Sequence, residues 1–202
     1  MAIKLTKTEL RAQQFRLDQL RKYLPTLQLK KALLQMEVSQ ATHEIEQLRA
    51  LFEIEEERVK NFASLLSDKS ASDLFSAVTI IEVEKSHENI AGVEIPIFEN
   101  VRFREASYAL FDSPAWMEPA TEGVRDLLIV REKVRIAKEK KKRLEKELRD
   151  VSIRVNLFEK ILIPRAQQNI KKIRIFLGDL QLTAVAQAKV AKKKILQRMA
   201  LR

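Results

Sequence analysis

The chain has 202 residues with only 3 Gly and 5 Pro, about 4% together against roughly 12% in an average protein, which argues against a turn-rich fold. Charged residues make up 33% and hydrophobic ones 46%, and the absence of Cys excludes a disulfide framework, a cysteine-ligated zinc site and a thiol nucleophile. The net charge of +10 is segregated: residues 1–35 carry +6, residues 36–115 carry −9 and residues 116–202 carry +13. No apolar run approaches the roughly 18 residues of a membrane span and no signal peptide opens the chain, so a cytoplasmic protein with no direct membrane span is expected.

The first element is a long helix. Stepping by seven from Leu10 gives Leu10, Leu17, Leu24, Lys31, Val38, Ile45, Phe52, Val59 and Leu66. The companion row is Gln13, Leu20, Leu27, Leu34, Ala41, Leu48, Glu55 and Phe62, and 14 of these 17 positions are apolar. A 3-4 spacing held this long marks a coiled coil, because a straight amphipathic helix drifts off a strict seven-residue repeat. The expected helix occupies residues 1–68, and its heptad tract is roughly 90 Å long at 1.5 Å per residue.

The insert, residues 69–118, changes period. Ile81-Glu82-Val83-Glu84 and Val93-Glu94-Ile95-Pro96-Ile97 alternate apolar and polar side chains, as half-buried strands do. Ser86-His87-Glu88-Asn89-Ile90-Ala91-Gly92 reads as the turn between them, with Gly92 able to take a positive φ. Pro96 cannot donate to a ladder, so its strand is expected to be an edge or bulged one. These features predict a small hairpin knob at the end of a rod. Trp116, between Pro114 and Pro119, reads as a packing anchor, with Pro119 near the first turn of the next helix.

The second long helix, residues 119–202, has its seam at Leu127, Val130, Val134, Ala137, Lys141, Leu144, Leu148, Val151, Val155, Phe158 and Leu162. It then continues out of phase through Ala166, Ile170, Ile173, Leu177, Leu180 and Ala184. One extra four-residue step coincides with Pro164, which predicts a bend or local loosening there. Two such tracts satisfy each other as an antiparallel pair. The predicted fold is therefore mainly α: one structural unit in which N- and C-terminal helices form a long two-helix coiled coil around a β-hairpin insert. Pairing Glu55 with Lys141, the polar interruptions of the two seams, would fix the register and set Leu66 near Val130 and Leu10 near Ala186.

Catalytic chemistry is not visible. There is no glycine-rich phosphate loop and no paired-histidine metal motif. His43 and His87 read as surface or turn residues, and Glu53, Glu55, Glu56 and Glu57 as a solvated helix face. No catalytic, cofactor-binding or metal-binding residue is assigned, and no cofactor is expected. The basic end carrying Lys189, Lys192, Lys193, Lys194 and Arg198 suits an acidic partner or a nucleic-acid backbone, but no aromatic residue is interleaved to stack on bases. A basic coiled-coil scaffold or nucleic-acid-associated protein is therefore one open reading.

Two stretches carry a resemblance. Asn89-Ile90-Ala91-Gly92-Val93-Glu94-Ile95-Pro96-Ile97-Phe98-Glu99, and Arg154-Val155-Asn156-Leu157-Phe158-Glu159 followed by Ile163-Pro164, resemble the two best-kept signatures of the family of D subunits of V/A-type rotary ATPases and ATP synthases. The likeness extends over nearly the whole chain. The segment Tyr23–Lys31 and the tail after Gly178 depart from the usual family pattern, as in a divergent bacterial branch. The resemblance implies a non-catalytic central-stalk rotor subunit that transmits torque between a catalytic nucleotide-binding ring and a membrane ion-translocating ring. It further implies as partners the catalytic and non-catalytic ring subunits (A and B), the small F subunit of the stalk and a membrane-ring adaptor, not nucleic acid, with the complex peripheral to the cytoplasmic membrane. Asn89, Gly92 and Pro96, together with the basic end, are the expected partner-interface residues.

Overall fold

A computed structural model describes residues 3–64, 71–105 and 113–200, without the side chains of 71–73, 198 and 200. Helix α1 spans Lys7–Lys60, the short α2 Ala71–Ala77, strands β1 and β2 Ile80–Ile90 and Val93–Phe103, α3 Met117–Leu157 and α4 Ile163–Ala200. Thr6 caps α1, its Oγ1 accepting from the Glu9 amide at 3.2 Å and satisfying a donor that the first turn leaves open. The contacts group the chain into two compact units, Met1–Leu29 with Val151–Arg202, and Lys30–Asp150.

Within Lys30–Asp150, α1 and α3 run antiparallel. Leu34, Ala41 and Ile45 from α1 are buried, as are Val134, Ala137 and Leu144 from α3, all at expected seam positions. Polar rungs flank the seam: Lys30 Nζ lies 2.6 Å from Glu147 Oε1, and Lys140 Nζ 3.0 Å from Glu44 Oε2. Farther along, Gly123 packs close to Val59. Leu74 of α2 and Val78, just after it, form a cluster with Ala120, onto which Phe62, Trp116, Val124 and Leu128 pack. Trp116 is thus a packing anchor, and Pro119 stands in the first turn of α3, where the amide it lacks would have no helical partner.

The hairpin is longer than its alternation suggests. Ser86 to Ile90, expected as a turn, belong to β1, and the connection is only Ala91-Gly92, with φ of +52° and +82°. Two successive positive φ values give the turn whose twist matches that of paired strands. Asn89 Oδ1 accepts from the Gly92 amide at 2.9 Å. Pro96 sits opposite His87 in regular pairing, and the two irregularities fall beyond it, one where Glu84 faces Asn100 but Lys85 faces Phe98 and one between Ile80 and Glu82. In a two-stranded sheet each strand has a free edge, so a proline is tolerated without a bulge of its own.

This hairpin is not a terminal knob: it lies along α3. At its base Arg125 donates to Ala77 O at 2.8 and 3.2 Å and to Arg104 O at 3.1 Å, with its guanidinium over the Phe103 ring. Midway, Lys133 sits over Phe98 and Lys85 pairs with Glu139 at 3.6 Å. Near the tip, Arg143 donates to Glu94 O at 3.1 Å. The spacing from Arg125 through Lys133 and Glu139 to Arg143 keeps these groups on one side of the helix. A second face of α3 is covered in consequence, and Ile136, off the seam, is 2% exposed. Two strands alone are marginal in water, and α3 supplies the missing support.

In the other unit, Leu17, Ala166 and Ile170 form a core against which Leu10 and Ile163 pack, and Asn169 reaches Gln13 at 3.5 Å. Just before it, Phe158–Leu162 winds as a π-helical turn, closed by the Ile163 amide donating to Phe158 O. The expected loosening therefore takes a definite form. Successive four-residue steps in an α-helix at about 100° per residue rotate the apolar stripe away from its partner. A π-turn packs more residues into a turn and takes back part of that rotation. Pro164 stands two residues past its end, next to the widened turn, which accommodates a residue without an amide hydrogen.

Candidate functional site

The expected interface residues fall in separate places. Asn89 and Gly92 form the exposed tip of the hairpin, and a side chain built on Gly92 would meet Lys30 Nζ only at an ordinary 3.7 Å. The positive φ, not lack of room, therefore calls for glycine there. Pro96 is buried, lining a small cavity of about 210 Å³ with Leu48, Phe98, Lys133 and Ile136. Its place is in the packing of hairpin on helix.

Lys189, Lys192, Lys193 and Lys194 are exposed on the last turns of α4; Arg198 belongs to the same helix, its side chain outside the described residues. From Asp179 to Gln197 every side chain is exposed. The apolar ones are included: Leu182 is 71% exposed and Ile195 57%. The seam expected to run on through Leu180 and Ala184 ends instead at Leu177. The reason is geometric. Leu10 and Leu17 already occupy the stretch around Ala166 and Ile170, and α1 starts at Lys7, so among the described residues no helix faces α4 beyond that point.

The same packing corrects the register. Glu55 and Lys141 are not brought together: Glu55 pairs with Arg58 at 3.6 Å and Lys141 with Glu145 at 3.7 Å, each within its own helix. Lys140, the neighbour of Lys141, reaches Glu44. Leu10 packs on the cluster of Leu17, Ala166 and Ile170 rather than by Ala186; Leu66 lies outside the described residues. Many apolar seam contacts, each worth roughly 1.5–3 kcal/mol when a large side chain is fully buried, outweigh one half-buried ion pair, which contributes little net.

Among the described residues no three His, Cys, Asp or Glu side chains are grouped to hold a metal, and no helix is long and apolar enough to cross a membrane. His43 lies exposed, 3.5 Å from Glu46, and His87 lies within β1. The fold perturbs the carboxylate of Glu139. The hydrogen bond from Arg143, with the Lys85 charge beside it, holds its pKa below the usual 4.5. Sequence reasoning missed the basic row on α3 that grips the hairpin, although Arg125, Lys133 and Arg143 recur at near-helical spacing on one side.

Known proteins supply the family. The family model for the D subunit of ATP synthase matches residues 9–193. The chain is similar to a protein from Chlamydia felis named as the D subunit of a V-type ATP synthase, 46% identical over 97% of this chain and 95% of that one. It is likewise similar to proteins of the same name from Chlamydia muridarum, 45% identical over 96% of this chain and 97% of that one, and from Chlamydia pneumoniae, 43% identical over 96% and 93%. With the match running through both long helices and the hairpin between them, the chain belongs to the family of ATP synthase D subunits.

Proposed function

We propose that the chain is a central-stalk subunit of a V-type ATP synthase, a non-catalytic rotor shaft that carries torque between the nucleotide-binding ring and the membrane ion-translocating ring. The observation that carries this reading is the near-full-length identity to D subunits of V-type ATP synthases. The packing suits the task. Each unit is held by an antiparallel seam of buried Leu, Ile, Val and Ala, and close-packed side chains transmit strain rather than absorb it. The exposed end of α4 mixes apolar side chains with Lys189, Lys192, Lys193 and Lys194, a surface suited to an acidic and apolar lining in a surrounding ring.

On this reading the partners are the catalytic and non-catalytic ring subunits (A and B), the small F subunit of the stalk and an adaptor on the membrane ring. The chain then sits on the cytoplasmic side, peripheral to the membrane through the complex. An axle influences otherwise equivalent ring sites only through contacts that differ with its angle, and the charged end supplies such contacts. The test is co-expression with the ring subunits from the same source, reading co-elution and ATPase rate with and without the chain. One copy per ring with altered turnover is expected. No binding in the presence of the small stalk protein would overturn the reading and favour a basic coiled-coil scaffold.

A further inference from the structure

Glu132 on α3 is a carboxylate covered by two arginines. It is 4% exposed. Its Oε1 accepts from Arg131 Nη2 at 3.5 Å, and its Oε2, closed off from solvent, lies 2.6 Å from Arg135 Nη2. What the surface presents is therefore the pair of guanidiniums, both more than half exposed. Each has five N–H donors and keeps most of them for a ligand, while the tie to Glu132 limits the side-chain freedom that binding would otherwise have to freeze. The pair lines a groove of about 630 Å³, a volume within the ordinary range of small-molecule sites, about 300–1,000 Å³. Arg131, Arg135 and Lys138 recur on α3 at steps of four and three, a row about 10 Å long, and Arg49 and Phe52 of α1 line the same groove. Among the described residues neither Arg49 nor Lys138 has an ion-pair partner. Four cations against the one carboxylate leave the lining with a net charge of +3.

The charge pattern selects the occupant. Guanidiniums bind phosphate oxygens in a planar fork, and a row of three cations with a fourth on the other helix suits a chain of phosphates better than a single one. A triphosphate concentrates several negative charges in one short body, whereas an acidic peptide spreads them at one per residue. Phe52 and Val134 add an apolar wall to the groove, and an aromatic side chain beside cations is the combination on which a nucleic base stacks. We propose that this groove binds a nucleoside triphosphate. Its phosphates lie on Arg131, Arg135, Lys138 and Arg49 and its base against Phe52, with Glu132 as a positioning residue that holds the two arginines and does not itself touch the ligand. The lining has no hydroxyl, thiol or imidazole, so the nucleotide is held rather than turned over. The inference concerns a surface away from the basic end of α4 and does not rest on the rotor reading, since it is tested on the chain alone.

The experiment titrates the full chain with ATP by calorimetry in magnesium-free buffer at about 0.15 M salt, which screens loose attraction to exposed lysines. One ATP per chain is expected, bound about tenfold more tightly than tripolyphosphate, with adenosine alone too weak to detect. Arg49→Gln with Lys138→Gln leaves the contacts of Glu132 in place and should weaken ATP by about tenfold or more, with an unchanged helical circular dichroism spectrum. Phe52→Leu should weaken ATP about fivefold and tripolyphosphate by less than about twofold. Glu132→Gln makes the groove more positive, so a loose basic face would bind ATP more tightly; loss of a positioning residue should weaken it several-fold instead. Lys192→Glu with Lys193→Glu should leave the affinity within about twofold. Absence of binding, sensitivity only to the α4 lysines, or tighter binding after Glu132→Gln would overturn the proposal. So would tripolyphosphate or a hexaglutamate peptide binding as tightly as ATP, the behaviour of a plain polyphosphate or acidic-peptide site.

Discussion

The two halves of α4 have similar alternations of apolar and polar residues and opposite fates. Between Ile163 and Leu177, Ala166 and Ile170 are buried against α1 and Ile173 is fully buried; after Gly178, Leu180, Leu182, Val185 and Val190 stand in solvent. The difference is not in helix propensity, because both halves are helical. It lies in whether another helix faces them. An apolar repeat therefore states that a surface can be buried, and the partner decides whether it is.

That contrast is open to direct attack. Ile173→Ala should cost about 2–5 kcal/mol in urea or thermal unfolding, as removal of a fully buried side chain does, while Leu180→Ala should change stability by less than about 0.5 kcal/mol. Equal effects would show that the outer half is covered after all. More local is Arg125→Ala. Losing charged hydrogen bonds to Ala77 O and Arg104 O, each worth about 1.5–3 kcal/mol, should reduce amide-exchange protection across Ile80–Phe103 and leave the α1 and α3 seam protected. Uniform loss in both would mean that the hairpin and the helices unfold as one. Gly92→Ala should destabilise the same hairpin by about 1 kcal/mol, because its φ is +82°.

At the outer half, replacing Lys189, Lys192, Lys193 and Lys194 by Glu should leave the unfolding of the isolated chain almost unchanged. In the assembled complex it should weaken coupling between ATP turnover and ion transport more than assembly. Unaltered coupling would sink the role given to these lysines. The smallest effect concerns pH. The pKa of Glu139 is lowered in the folded chain by Arg143 and Lys85, so its contribution is present above the usual 4.5 and is lost as pH falls through the lower folded value. Hairpin protection should therefore decline on acidification below about pH 4.5, and Glu139→Gln should remove that part of the decline.

Much of the architecture was legible residue by residue. Every expected seam position of α1 that is described, from Leu10 to Phe62, is buried or half-buried, because a seven-residue repeat leaves the helix one stripe to hide. The phase step near Pro164 pointed to the place where Phe158–Leu162 winds as a π-turn, and Gly92 to the hairpin turn. The length of the strands was not legible, since Lys85, Ser86, His87, Glu88 and Asn89 have no alternation and are held by pairing with Glu94–Phe98. Nor was the course of the hairpin along α3, because the basic residues that hold it look like any solvated helix face. Of the candidate surfaces, the lysines of α4 were plain from their clustering, but the groove around Glu132 joins two residues of α1 to residues some 80 positions later.

By itself, then, the sequence determined what is local and periodic: two long helices, their apolar stripes, a turn at Gly92 and a basic end. Tertiary structure alone decided the register of the helix pair, the side of α3 that the hairpin covers and the point at which α4 loses its partner. The physical reason is that a heptad repeat is nearly unchanged by a shift of seven or fourteen residues, so stripes of Leu and Val fit at several alignments. Only the sum of specific contacts, such as Lys30 with Glu147, Lys140 with Glu44, Asn169 with Gln13 and the close approach of Gly123 to Val59, distinguishes one alignment from the next.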